Sequence, residues 1–163
     1  MSQLIDLTHV RPRADGRQSA TATEICTGVR RLLASHGHAT VTEMTLASGR
    51  RADIVALGQD GCIWIVEIKS SVADFRADAK WPLYREFCDR LFFAVATGFP
   101  TEILPAETGL MLADGYGAAL MREAPEHKLA PARRRAVLLR FAHLAAGRLH
   151  GLVDPGGAGG WME

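Results

Sequence analysis

Two acidic residues and a lysine lie where strand periodicity would bring their side chains together. Asp53 lies in RADIVAL (51–57), and Glu67 and Lys69 lie in CIWIVEIK (62–69). Both segments are rich in β-branched and other apolar residues, which favours β-strands. Because side chains alternate between the two faces of a strand, Glu67 and Lys69 share one face.

The connection between these two strands decides whether Asp53 meets Glu67. It reads Gly58-Gln59-Asp60-Gly61, a strong hairpin signal. A three-residue loop with glycine in the left-handed position would pair Gly58 with Cys62 and set Asp53 opposite Glu67. A two- or four-residue loop would move that register by one residue, so the loop type determines the geometry of the site.

Two neighbouring carboxylates on a mostly apolar sheet indicate a cation site. They repel each other, and leaving both ionised is costly unless a cation joins them. Mg²⁺ takes oxygen ligands, which Asp53, Glu67 and a strand carbonyl such as that of Ile68 would supply. The ion would lower the pKa of a bound water and stabilise charge on a phosphoryl oxygen. Lys69 would position that water or neutralise the charge that develops on the phosphate.

Three further residues are candidates for contact with a substrate phosphate. Arg51 begins the strand that carries Asp53, and arginine suits phosphate recognition. Lys80 and Tyr84 lie in a predicted helix that follows Lys69. For Trp81 in the same helix, a core position is favoured over a role in base stacking.

The elements that would position these residues form one α/β pattern. Pro82 predicts either a kink in the second helix or a short helix followed by a longer one. The apolar run 91–97 is typical of a buried central strand. The predicted helices span about 21–36, 72–90 and 131–147, and the predicted strands span 41–47, 51–57, 62–69, 91–97, 109–113 and 118–122.

The motif Asp53, hairpin, Glu67-Ile68-Lys69 resembles that of the PD-(D/E)XK nuclease superfamily, with Ala52 at the variable proline position. The element order is similar to the restriction-endonuclease-like αβββαβ core, a mixed central sheet flanked by helices. An extra C-terminal hairpin and helix would follow that core. More narrowly, the stretch that begins at Arg50, RRADIVALGQDGCIWIVEIKSSVADFRADAKWPLYREFCDRLFFAV, resembles the MmcB family of bacterial DNA repair proteins.

The resemblance implies a metal-dependent deoxyribonuclease that acts in DNA repair. Asp53, Glu67 and Lys69 would be catalytic, and Mg²⁺ or Mn²⁺ would be the cofactor. Glu24 in the first helix would be an additional metal-site acid, although it also fits a capping box with Thr21.

DNA is the implied partner, while a repair-protein partner and a homodimer stay open. The alternative is a nuclease-fold module that binds DNA or a partner with little or no cleavage. A hydrolase for RNA or nucleotides with the same site is a third option.

Length and composition fit one ordinary domain. The chain has 163 residues, 48% of them apolar and 23% charged, which argues against disorder over the whole length. We expect a flexible N-terminal arm (1–19), one domain (20–150) and a glycine-rich tail (151–163). The net charge of +1 gives weak support for nucleic-acid binding. No membrane span or secretory signal is present, so a cytoplasmic protein is expected. There is no P-loop, which argues against a nucleotide cofactor, and no CxxC pair, which argues against a zinc knuckle.

Overall fold

A six-stranded mixed sheet runs through the molecule, and the computed structural model describes residues 19–157. The strands lie side by side in chain order. Neighbours are antiparallel except for the third, fourth and fifth strands, which are parallel to one another. The strands are β1 (Ala39–Thr45), β2 (Arg51–Leu57), β3 (Ile63–Lys69), β4 (Arg90–Ala96), β5 (Gly109–Ala113) and β6 (Ala118–Arg122).

Helices cover both faces of this sheet. They are α1 (Ala20–Ser35), α2 (Val72–Ala77) and α3 (Pro131–Val153), with 3-10 helices at Trp81–Phe87 and Thr101–Ile103. The order confirms the predicted αβββαβ core followed by a hairpin and a helix. This mixed α/β architecture is consistent with a restriction-endonuclease-like fold.

Two apolar layers hold the helices on the sheet. On one face, Val29 and Leu33 of α1 lie in a core with Phe92 of β4. On the other face, Phe141 of α3 lies in a core with Val55 of β2 and with neighbouring residues of β3. Burial of such side chains is the main stabilising contribution to a fold of this kind. β3 is buried on both faces because it lies between the two layers, which places its polar residues Glu67 and Lys69 inside the molecule.

An ion pair between buried Asp89 and partly exposed Arg134 fixes the start of α3 to the sheet. Asp89, just before β4, accepts hydrogen bonds from the guanidinium of Arg134 at 2.6 and 2.8 Å and from the backbone N–H groups of Ile63 and Leu129. Burial alone would raise the pKa of Asp89, but these four donors outweigh it and lower the pKa. The orientation of α3 across the sheet is therefore determined by a polar contact as well as by packing.

The first helix begins differently from the prediction. Ser19 is its N-cap, and its hydroxyl accepts a hydrogen bond from the backbone N–H of Ala22 at 3.1 Å. The predicted capping box between Thr21 and Glu24 is therefore wrong. Serine is among the best N-cap residues, so a start at Ser19 satisfies one of the unpaired donors of the helix.

The predicted helix 72–90 is divided. α2 ends at Ala77, and a 3-10 helix begins at Trp81. Pro82 explains this break, because proline lacks an N–H group and, in a continuous α-helix, its ring would clash with the carbonyl of Asp78 four residues earlier. The sequence left open a short helix followed by a longer one, and the second part is instead a 3-10 helix.

α3 is longer than predicted. It was expected to end near Gly147 but continues to Val153, so the first residues of the predicted tail 151–163 are helical. The segments 1–18 and 158–163, which include nearly all of the predicted arm, lie outside the described residues. Within residues 19–157, no helix has both the length and the apolar character required to cross a bilayer.

Candidate active site

The β2–β3 hairpin has the predicted register. Gly58 donates its backbone N–H to the carbonyl of Cys62 at 2.9 Å, and Gly61 has the left-handed φ of +82° that the three-residue loop requires. The ladder then pairs Leu57 with Ile63 and runs as far as Ile54 and Val66. The next residues in this register are Asp53 and Glu67, so the prediction that they lie opposite each other is confirmed.

At Asp53 and Glu67, hydrogen bonds from backbone N–H groups to side-chain carboxylates take the place of the backbone-to-backbone hydrogen bonds between β2 and β3. Asp53 donates its backbone N–H to Oε1 of Glu67 at 3.2 Å, and Oδ2 of Asp53 accepts the backbone N–H of Ile68 at 2.8 Å. Each side chain therefore satisfies a backbone donor of the other strand. Oδ1 of Asp53 and Oε2 of Glu67 accept no hydrogen bond from any residue between 19 and 157, which leaves one oxygen of each carboxylate available to a ligand.

β1 is distorted where it passes this pair. Glu43, which lies beside Asp53 in the β1–β2 ladder, has a φ of +53°. Residues with a side chain seldom adopt this left-handed conformation, and it often marks functional sites. Residues three positions apart on a regular strand point to opposite faces of the sheet. Val41 and Met44 are three positions apart, yet both contact the core beneath α3. The alternation of faces is interrupted at Glu43, which periodicity in the sequence does not reveal.

Lys69 is buried with its ammonium group bound to a third acid. It is 5% exposed, and its Nζ lies 2.7 Å from Oδ2 of Asp78. Asp78 follows α2 and also accepts the backbone N–H of Lys80 at 3.1 Å through Oδ1. Sequence reasoning did not assign Asp78 a role. The signal that was available is its place just before the break at Trp81-Pro82, where the chain turns back toward the sheet.

Burial disfavours the ionised forms of both carboxylates, and repulsion from Asp53 adds to the effect at Glu67. Burial raises the pKa of Asp53 to about 6, although the Ile68 N–H and the Lys69 charge act against it. Burial, followed by repulsion from Asp53, raises the pKa of Glu67 well above its ordinary value. A bound cation would reverse both effects, since it favours the ionised form of each carboxylate.

Glu24 does not lie with this pair. Its side chain packs beside Gly115 in the turn between β5 and β6. Two strand spacings, about 10 Å, separate β5 from β3. Burial raises the pKa of Cys26 in α1; the charge of Arg30 acts against it, and those of Asp53 and Glu43 raise it further.

The three residues predicted to contact phosphate are placed differently from one another. Arg51 and Lys80 are exposed, and the guanidinium of Arg51 lies 3.6 Å from the carboxylate of Glu43. Tyr84 is buried, and its hydroxyl donates to the carbonyl of Arg51 at 3.0 Å. Burial raises the pKa of Tyr84, with smaller contributions from Glu67 and Asp53. Tyr84 therefore supports the site from within the core and does not present its hydroxyl to a bound phosphate.

The donor set suits a hard divalent cation. Asp53, Glu67 and the backbone carbonyl of Ile68 are all oxygen donors, and Mg²⁺ commonly binds through one or two carboxylates while it keeps several waters. Within residues 19–157, no group of three or more His, Cys, Asp or Glu side chains is arranged to hold a metal. This composition does not match zinc, which is usually held by three or four nitrogen, sulfur or oxygen side-chain ligands.

Comparison with known proteins identifies the family. The family model described as DNA repair protein MmcB-like matches residues 9–156. No protein with a curated description matches the chain. A solved structure described as the SPO1766 protein of unknown function from Silicibacter pomeroyi is 50% identical in sequence and has a TM-score of 0.84, and the match covers 89% of this chain and 99% of that one. Because the family model spans most of its length, the chain belongs to the MmcB-like family of DNA repair proteins.

Proposed function

We propose that the chain is a metal-dependent DNA nuclease of the PD-(D/E)XK type that acts in DNA repair. The observation that carries this proposal is the interlocked pair of carboxylates, half-buried Asp53 and buried Glu67, with the buried Lys69 two residues further on. Burial of three ionisable groups costs stability, which a purely structural role does not explain. Membership of a DNA repair family supports DNA as the substrate.

In this proposal, Asp53, Glu67 and the carbonyl of Ile68 hold Mg²⁺ or Mn²⁺. When bound, the ion would supply a water of lowered pKa and would neutralise charge on the scissile phosphate. The carboxylates have one oxygen each that accepts no hydrogen bond within residues 19–157. Their raised pKa values mean that the cation would displace protons from the pair when it binds.

In this proposal, Lys69 and Asp78 help to position the water that attacks the phosphate. The Lys69 ammonium would donate a hydrogen bond to the attacking water or to a phosphoryl oxygen, where charge increases in the transition state. Asp78 holds that ammonium at 2.7 Å, which limits its positions before substrate binds. Glu24 and Tyr84 are not assigned a role in the chemistry, because Glu24 lies beside Gly115 and Tyr84 is buried.

Cleavage of end-labelled DNA tests the proposal. Single-stranded, duplex and branched substrates are incubated with Mg²⁺, Mn²⁺ or EDTA, and RNA of the same sequence is included. We expect metal-dependent cleavage of DNA that falls by about two orders of magnitude or more in Glu67→Gln and Lys69→Met. Glu102→Gln, in the 3-10 helix Thr101–Ile103, serves as the matched control. Wild-type cleavage by folded Glu67→Gln protein would show that the site is assigned wrongly.

A second candidate function is a nuclease-fold module that binds DNA or a repair partner with little cleavage. One observation favours it: Glu24 lies apart, so the site gathers only two carboxylates from the described residues, whereas the resemblance had implied a further acid. Under this function, DNA binding would be equally strong in EDTA and in Mg²⁺. Wild-type protein would then leave each DNA and RNA substrate intact.

A further inference from the structure

Three arginines from opposite faces of the sheet converge on the edge strand β1. Arg30 comes from α1 on one face, and Arg140 and Arg148 come from α3 on the other. We call these three residues the β1 arginine strip. Their hydrogen bonds to β1 join Arg30 Nε to Thr40 Oγ1 at 3.3 Å, Arg148 Nη1 to Thr42 Oγ1 at 3.4 Å, and Arg140 Nη1 to the carbonyl of Thr45 at 3.5 Å.

The β1 arginine strip gathers like charges on an exposed surface. All three of its arginines are exposed. The pKa of Arg148 is lowered by partial burial and also by the charge of Arg30, and Glu43 acts in the opposite direction. The guanidinium groups remain charged at neutral pH. Glu43 also forms an ion pair with Arg51, so its single negative charge offsets only part of the positive charge of the neighbouring arginines. A bound anion would relieve the repulsion between Arg30 and Arg148.

The dimensions of the β1 arginine strip match a nucleic-acid backbone. Its contacts extend along β1 from Thr40 to Thr45, about 17 Å at the rise of a β-strand. The β1 arginine strip is therefore long enough for each of its three arginines to contact a separate phosphate of one DNA strand. A single small anion would need only one of these arginines, whereas a polyanion would engage all three.

The β1 arginine strip also leads to the candidate active site. Glu43 lies between Thr42 and Thr45 on β1 and beside Asp53 of β2 in the ladder. Adjacent strands are about 4.8 Å apart, so β1 runs one strand spacing from the strand that carries Asp53. Arg51, which begins β2 and lies opposite Thr45, extends the basic surface toward the carboxylate pair.

We propose that the β1 arginine strip binds the sugar–phosphate backbone of DNA and carries one strand past Asp53 and Glu67. This inference rests on the proposed function, because it names the surface that delivers the substrate to that site. Arginine suits this task, since its planar guanidinium binds phosphate oxygens in a bidentate manner. The contacts would be independent of base sequence.

The salt dependence of DNA binding tests this assignment. Binding of fluorescein-labelled single-stranded and duplex DNA is followed by anisotropy in EDTA over a series of KCl concentrations. In a plot of log Kobs against log salt, each lost phosphate contact reduces the slope by about one. We expect the Arg30→Gln/Arg148→Gln double variant to lose about two units of slope. The Arg30→Lys/Arg148→Lys variant should retain the wild-type slope, because it keeps both charges.

Arg31→Gln is the matched control. Arg31 follows Arg30 on α1 but bonds to the carbonyls of Gly115 and Tyr116 on the other side of the helix. It should retain the wild-type slope. The assignment is overturned if the double glutamine variant keeps that slope, if Arg31→Gln loses as much, or if wild type binds neither DNA. Binding is measured in EDTA, which prevents cleavage. If the double glutamine variant loses slope as expected but wild type does not cleave DNA in Mg²⁺, the proposed nuclease activity is rejected and the proposed DNA-binding surface is retained.

Discussion

Lys69 and Asp78 form a contact on which the chemistry would depend. The ammonium of Lys69 is almost fully buried and lies 2.7 Å from Asp78, in the short connection between α2 and the 3-10 helix Trp81–Phe87. A group that is held in place before substrate binds loses little freedom in the transition state. Asp78 would therefore act through Lys69 and would not need to touch the substrate.

We expect Asp78→Asn to lower the cleavage rate constant by about 10- to 100-fold while DNA affinity in EDTA stays unchanged. The asparagine removes the charge that holds Lys69, and a misplacement of about 1 Å can cost that much in rate. Single-turnover cleavage and anisotropy titrations measure the two quantities. Glu86→Gln, an exposed change in the 3-10 helix Trp81–Phe87 that follows Asp78, is the control. Equal rates for Asp78→Asn and wild type would remove Asp78 from the mechanism.

At the scale of elements, the hairpin and the strands were predictable because their signals are local. Gly58 and Gly61 specify the loop, and the loop specifies that Asp53 lies opposite Glu67. The element order, the buried β4 and the second hairpin follow equally from nearby residues. The outlines of the fold and the central pair of the candidate site were therefore available from the sequence.

The remaining features depend on contacts between distant segments. The position of Glu24 beside Gly115 follows from the packing of α1 against the β5–β6 turn, and the Lys69–Asp78 contact joins the end of β3 to the segment after α2. No periodicity in the sequence encodes such contacts. The burial of Tyr84 was equally unpredictable from local patterns, because its hydroxyl donates a hydrogen bond to the carbonyl of Arg51, which is far away in the chain.

The contact of α1 with the β5–β6 turn gives a test at this scale. A methyl group at Gly28 would collide with the backbone carbonyl oxygens of Asp114 and Gly117. Alanine normally stabilises a helix by about 1 kcal/mol relative to glycine, but forced overpacking costs about 1–3 kcal/mol. We expect Gly28→Ala to lower the free energy of unfolding in urea. Gly151→Ala in α3, where the space is open, should raise it or leave it unchanged. The same result for both variants would contradict this close packing.

At the scale of the whole molecule, the buried carboxylates link stability to pH. The pKa of Asp53 is raised from an ordinary value of 3.8 to about 6, and that of Glu67 is also raised. The native state therefore binds more protons than the unfolded state above about pH 4. The free energy of unfolding contributed by these groups is greatest at low pH, and it falls as pH rises through about 6.

Metal-free protein should therefore lose part of its stability between about pH 4.5 and pH 7. Urea unfolding in EDTA measures this trend, and the Asp53→Asn/Glu67→Gln variant should show a flatter curve because both titrating groups are gone. Mg²⁺ should stabilise wild type more at pH 7.5 than at pH 5, since it binds the ionised pair. Identical pH dependence in variant and wild type would show that these carboxylates do not titrate as described.

Direct binding of Mn²⁺ tests the central claim that Asp53 and Glu67 form a metal site. Free Mn²⁺ is counted by electron paramagnetic resonance as protein is added at pH 7.5. We expect saturable binding by wild type that is lost, or weakened at least about tenfold, in Glu67→Gln and Asp53→Asn. The control Asp60→Asn, in the loop at the opposite end of β2, should bind as wild type does. Undiminished Mn²⁺ binding by Glu67→Gln and Asp53→Asn, or no binding by wild type, would contradict the account.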